Sequence, residues 1–211
     1  MTSTLLAAVF CSVASLLPPG HTYKLVWSDE FDGTELDRTK WNVSDGVVSN
    51  PGTEHLYTAS TNNGRVENGR LLGGDPDEDT YGEIFYRTPF TGDVMLEFDA
   101  EILAPSYHDI VWFWNTRLFF GEERQKHAEI WGDGYLGCLG GWYADYAGIE
   151  RTPSYQPSVI APSFPVEAGK SYHIVSGGAG TRQFIAVDGK LVTYFTDPAV
   201  PDPHEGGYIG F

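Results

Sequence analysis

Two stretches of the chain carry residue types whose spacing suits chemistry. The first is Glu129-Ile130-Trp131-Gly132-Asp133. On an extended strand residues i, i+2 and i+4 share a face, so Glu129, Trp131 and Asp133 project together, with His127 on the same side. Two carboxyls about 5 Å apart are what a retaining cleavage of a glycosidic bond requires. Asp133 also sits between two glycines, which reads equally well as a turn. The second stretch is His108-Asp109-Ile110-Val111-Trp112-Phe113-Trp114-Asn115. Alternation puts His108, Ile110, Trp112 and Trp114 on one face and Val111 and Phe113 on the other. With Val111 and Phe113 in a core, Trp112 and Trp114 line an open surface on which the apolar face of a pyranose ring can stack. The opposite parity buries both tryptophans. Trp131 and Trp142, nearby in sequence, tilt the reading towards sugar binding, with His108 and Arg151 as polar partners.

A different chemistry uses some of the same residues. β-Elimination from a uronic-acid polymer needs a base near C5 and a cation to neutralise the carboxylate. His127, His108, Tyr143 and Tyr146 are candidate bases, and Arg117 and Arg151 candidate cations. None of them forms a motif. No metal-ligand set is legible either. Asp75, Asp77 and Asp79 alternate as the start of a calcium loop does, without the glycine and closing glutamate of an EF-hand. A structural calcium and a solvated acidic loop both remain open there.

The charge balance excludes whole classes of partner. With 29 Asp plus Glu against 13 Lys plus Arg, the net charge is −16. Such a surface repels nucleic-acid phosphates and anionic lipid, so the expected partner is a poly- or oligosaccharide, met by a monomer. Leu5 to Leu17 is an uncharged apolar run of signal-peptide length, too short to span a bilayer. Residues 1–20 are therefore expected to be a signal peptide, residues 21–211 the mature domain, and the location extracellular. Cys11 falls in the leader, leaving Cys138 as a lone thiol in Tyr135-Leu136-Gly137-Cys138-Leu139-Gly140-Gly141, where a small buried residue is expected rather than a nucleophile.

The elements that must position these residues are strands throughout. Tyr23–Trp27, Gly64–Leu72 with an Asn68-Gly69 turn, Tyr81–Phe90, Asp93–Leu103, His108–Thr116, His127–Asp133, Tyr135–Trp142, Ser171–Ser176, Arg182–Val187 and Lys190–Phe195 all read as β. Asp188-Gly189 marks a second tight hairpin. No segment keeps apolar positions at helical spacing with caps at both ends. Short strands separated by Gly, Pro and Asp turns predict one all-β sandwich or jelly roll. The final Gly207-Tyr208-Ile209-Gly210-Phe211 stops in mid-strand. That predicts a C-terminally truncated domain lacking its closing strand, with an unpaired sheet edge.

Tyr23-Lys24-Leu25-Val26-Trp27-Ser28-Asp29-Glu30-Phe31-Asp32-Gly33, then Leu36-Asp37 and Lys40-Trp41, resembles the opening of glycoside hydrolase family 16. Glu54-His55-Leu56-Tyr57-Thr58 and Val66-Glu67-Asn68-Gly69-Arg70-Leu71 continue the likeness over the first third of the mature chain. The resemblance implies a concanavalin A-like jelly-roll β-sandwich of two antiparallel sheets and a glycoside hydrolase-like activity on a cell-wall polysaccharide. It also implies a Glu-x-Asp-x-(x)-Glu signature whose outer carboxylates are nucleophile and general acid, here Glu129 and the shorter Asp133. Trp131 stands where that signature has its central Asp, so the motif is degenerate. The later chain, through Gly140-Gly141-Trp142, Gly148-Ile149-Glu150-Arg151-Thr152-Pro153 and Val187-Asp188-Gly189-Lys190-Leu191, is similar to uncharacterised concanavalin A-like domains of secreted and sugar-utilisation proteins. For these the implication is a fold and a sugar context. A polysaccharide lyase and a non-catalytic, lectin-like module are the alternatives to a hydrolase.

Overall fold

A computed structural model describes residues 21–44, 46–49, 56–59, 63–74, 82–104, 109–117, 119–120, 128–129, 133–141, 145–152, 157–161, 163–199 and 207–211. The strands are β1 (Trp41–Val43), β2 (Gly46–Ser49), β3 (Leu56–Ala59), β4 (Gly64–Glu67), β5 (Arg70–Gly73), β6 (Ile84–Tyr86), β7 (Met95–Glu101), β8 (Ile110–Thr116) and β9 (Phe119–Phe120). They continue with β10 (Ala128–Glu129), β11 (Gly134–Gly141), β12 (Tyr146–Thr152), β13 (Pro157–Ala161), β14 (Ser171–Ala179), β15 (Arg182–Val187), β16 (Lys190–Thr196) and β17 (Tyr208–Gly210). No helix among the described residues is long and apolar enough to cross a membrane.

Alternation decides how these strands pack. A seven-stranded antiparallel sheet, β1-β6-β17-β8-β11-β12-β13, faces a four-stranded one, β16-β15-β14-β7. Trp112, Trp114, Tyr135, Leu139, Ala147, Ile149 and Ile209 from the first pack against Leu96, Tyr172, Ile174, Ile185 and Val187 from the second. Each such large side chain removed from water contributes roughly 1.5–3 kcal/mol, so this shared layer holds the two sheets together. Two tight turns set register. Asn68-Gly69 joins β4 to β5 and Asp188-Gly189 joins β15 to β16, and all four residues have positive φ, between 51° and 74°. Type I′ turns demand that conformation, which Asn, Asp and Gly tolerate best.

Three expectations about elements change. Tyr23–Trp27 is not a strand; it has no ladder partner among the described residues. Its tryptophan instead fills the end of the core, with ring centroids 4.3 Å from Tyr86 and 5.5 Å from Trp41. The terminal Tyr208–Gly210 strand is not itself an edge, because it lies inside the larger sheet between β6 and β8. Strands β1, β2, β3, β9, β12 and β13 were not expected from sequence. β12 reads Tyr-Ala-Gly-Ile-Glu-Arg-Thr, a run too small and too charged to announce itself by β-propensity.

Candidate functional site

Trp112 and Trp114 do not line an open surface. Both are 0% exposed and belong to the layer between the sheets. The Trp114 Nε1–H donates across that layer to Gln183 Oε1 at 3.0 Å, and its ring stacks on Tyr135 at 5.5 Å. Trp112 lies opposite Gly137 in the neighbouring strand. A Cβ there would stand 2.4 Å from the indole Cε2, so the glycine gives the ring its room. The parity is therefore the reverse of the one that sugar stacking required. β8 is buried on both faces, which leaves alternation unable to choose between them; the larger residues took the space between the sheets.

The outer face of the seven-stranded sheet holds the other half of the alternation. One cross-strand row runs Phe85, Gly210, Phe113, Leu136, Glu150 across β6, β17, β8, β11 and β12. The next row sets Val111 against Cys138 and Cys138 against Gly148. Phe85, Phe113, Leu136 and Cys138 pack as one cluster with Val111 against it. Glu150 is 1% exposed. Asp109, exposed just ahead of β8, accepts a hydrogen bond from the Cys138 thiol at 3.2 Å. Burial above all, then the Asp109 carboxylate, pushes the Cys138 thiol well up, with Glu150 adding to the effect. Burial and a neighbouring carboxylate both disfavour the thiolate, the form in which a cysteine acts as a nucleophile. No group of three or more His, Cys, Asp or Glu among the described residues is arranged to hold a metal ion.

At the end of β11 and β12 the candidate acid meets the candidate cation. Asp133 is ion-paired with Arg151. Arg151 Nε donates to Asp197 Oδ2 at 2.8 Å, and its terminal nitrogens donate to the carbonyls of Gly134, Thr152 and Ala199. Beneath the guanidinium, 5.3 Å away, lies the Tyr135 ring, whose hydroxyl donates to Asp197 Oδ2 at 2.9 Å. Burial works against the Arg151 charge, and Asp133, Tyr135 and Asp197 outweigh it, so the guanidinium is held above its ordinary range. For Asp197 burial likewise opposes the charge, yet the Ala199 N–H, the Tyr135 hydroxyl and Arg151 hold its carboxyl below the usual range. Each of the three guanidinium nitrogens of Arg151 thus has a partner within the protein. The Asp133 carboxylate is committed to that ion pair.

Glu129 lies in β10, paired with Phe119 of β9 in a ribbon of its own, while Asp133 leads into β11. The structure therefore does not bring the two together on one strand. His127, His108, Trp131, Trp142 and Tyr143 lie outside the described residues, as does the acidic 75–80 loop. Sequence reasoning missed Asp109 and Glu150 as outer-face carboxylates. The signal was present for Glu150: it stands one position from the inward-facing Ile149, so its opposite facing follows once β12 is known to be a strand.

No family model matches the chain. A segment of 57 residues is 44% identical to glucan endo-1,3-β-glucosidase A1 of Niallia circulans, covering 22% of this chain and 8% of that protein's length. Solved structures align over far more. A laminarinase from Flavobacterium sp. UMI-01 matches over 89% of this chain and 86% of its own, at 17% identity and a TM-score of 0.57. A structure described with endo-acting O-glycanases of the human gut microbiota matches over 89% and 83%, at 18% and 0.60. The carbohydrate recognition domain of Emp46p matches over 88% and 84%, at 13% and 0.55. At these identities the likeness establishes the fold, a concanavalin A-like jelly roll of the kind family 16 glucanases have.

Proposed function

We propose that this chain is a secreted, glycoside hydrolase-like protein that acts on a β-1,3-linked glucan of a cell wall. The observation that carries this reading is a laminarinase-type fold over nearly nine-tenths of the chain; the short segment that resembles a glucan endo-1,3-β-glucosidase points the same way. Secretion rests on the uncharged apolar leader. Glu129 supplies one carboxylate, and Asp109 and Glu150 on the outer face are the other carboxylates to test as its partner.

A second reading is favoured by one feature of the site. With Asp133 tied to Arg151, the degenerate motif is left without an obvious acid, and a fold that also serves a carbohydrate recognition domain can bind glycan without cutting it. The lyase reading is weaker, since Arg151, a candidate for neutralising a uronate, is already occupied.

Incubation with laminarin, mixed-linkage β-glucan and a polyuronate separates the three. Hydrolysis yields reducing ends without absorbance near 232 nm, and elimination yields both. Retardation in a laminarin gel with neither signal leaves a binding module. We expect reducing ends from laminarin, lost in Glu129→Gln; full activity in that variant removes Glu129 from the chemistry.

A further inference from the structure

We propose that Arg151 is a positioning residue and that Asp133 serves it, rather than serving as an acid. The inference rests on the hydrolase reading above. Five acceptors surround one guanidinium: the Asp133 carboxylate, Asp197 Oδ2 and the carbonyls of Gly134, Thr152 and Ala199. They come from three separate places. Asp133 and Gly134 open β11, Thr152 ends β12, and Asp197 and Ala199 follow β16 of the opposite sheet. A planar fork with five N–H groups suits this set as a lysine ammonium does not.

The clasp is fixed from both sides. Asp197 is itself held, through its N–H to the Thr181 carbonyl at 2.8 Å and by the Ala199 N–H on Oδ1 at 2.8 Å. The Asp133 carbonyl accepts from the Arg117 N–H at 2.9 Å, so the residue is pinned by backbone to the end of β8 and by side chain to β12. Next to it, a Cβ at Gly134 would fall 2.4 Å from Thr116 Cα, so β11 begins where two backbones already touch. Asp133 stands four residues after Glu129, and both its backbone and its side chain are held. An isolated surface ion pair contributes about 0–1 kcal/mol. A half-buried network that ties three chain segments together does something different: it sets geometry, and displacement of a reacting group by about 1 Å lowers turnover about 10²-fold.

The test is steady-state hydrolysis of laminarin by wild type, Arg151→Lys, Asp133→Asn and the double variant, each checked for cooperative urea unfolding. A positioning clasp predicts kcat about 10²-fold lower in each single variant with KM within about twofold. It also predicts no further loss in the double variant, because the two residues act as one unit. The alkaline limb of the kcat pH profile should stay in place in Asp133→Asn. Loss of that limb makes Asp133 the general acid and overturns the proposal. Wild-type kcat in Arg151→Lys overturns it too, while leaving the hydrolase reading intact. Should wild type hydrolyse none of the glucans, the hydrolase reading falls, and laminarin retardation decides the clasp. Retardation lost in Arg151→Lys keeps a positioning role for binding; equal retardation in both, or none in wild type, ends it.

Discussion

The two faces of the seven-stranded sheet differ in what they do with polar atoms. On the inner face, two polar groups of the aromatic layer find partners across the sandwich: Trp114 donates to Gln183, and Tyr135 to Asp197. On the outer face the ionisable groups Asp109, Cys138 and Glu150 gather around an apolar patch of Phe113 and Leu136. Glu150 is the carboxylate buried on that outer face, where a charge is costly to bury unless it is paired. Trp112 and Trp114, which looked like part of the working surface, belong to the scaffold.

The sharpest way to break that distinction is to remove an indole. Trp114→Ala deletes a fully buried ring that touches Tyr135 and is expected to cost about 3–5 kcal/mol in urea unfolding. Retardation by laminarin, measured on the folded fraction, should be unchanged. A variant that unfolds like wild type but no longer binds glucan would restore Trp114 to the ligand surface.

A smaller effect sharpens the same contrast from the opposite strand. Gly137→Ala adds one methyl group against the Trp112 ring, where the unrelaxed distance is 2.4 Å. Overpacking of this kind costs about 1–3 kcal/mol, read as a lower urea midpoint at constant m-value. No change at all would mean that Trp112 has room to move, and hence that the inner layer is looser than its burial implies.

These two glycine–indole and indole–glutamine arrangements show why the fold was more legible than the site. The β pattern, the Asn68-Gly69 and Asp188-Gly189 turns and the sandwich class follow from local residue chemistry. The facing of β8 does not, because Val111 and Phe113 are as apolar as a core needs and so are Ile110 and Trp112. Only the partner strand resolves it, through Gly137 opposite Trp112, and register between β8 and β11 is a long-range fact. The meeting of Arg151 and Asp133 was illegible for the same reason: they are eighteen residues apart in sequence (151 − 133), and nothing local says that they meet. Tyr23–Trp27 alternates like a strand, yet its aromatics are anchors for rings at Trp41 and Tyr86, not rungs of a ladder.

The smallest predicted effect concerns the polar rim of the inner face and depends on pH. In the folded chain Asp197 is held below the usual carboxylate range, because the Ala199 N–H, the Tyr135 hydroxyl and Arg151 outweigh the burial that opposes its charge. A depressed folded value means that the unfolded chain takes up the proton first as pH falls. The stabilisation is therefore complete above the ordinary carboxylate value of about 3.9 and is lost as pH drops through it towards the folded value. Asp197→Asn removes this contribution at every pH. Its urea midpoint should lie below wild type at pH 7, and the two curves should converge as pH falls below about 4. Other carboxylates titrate in both proteins and cancel in the difference, which isolates Asp197. A gap that stays constant down to pH 2.5 would show that the rim is held by hydrogen bonding alone, and that the charge on Asp197 adds nothing to the clasp.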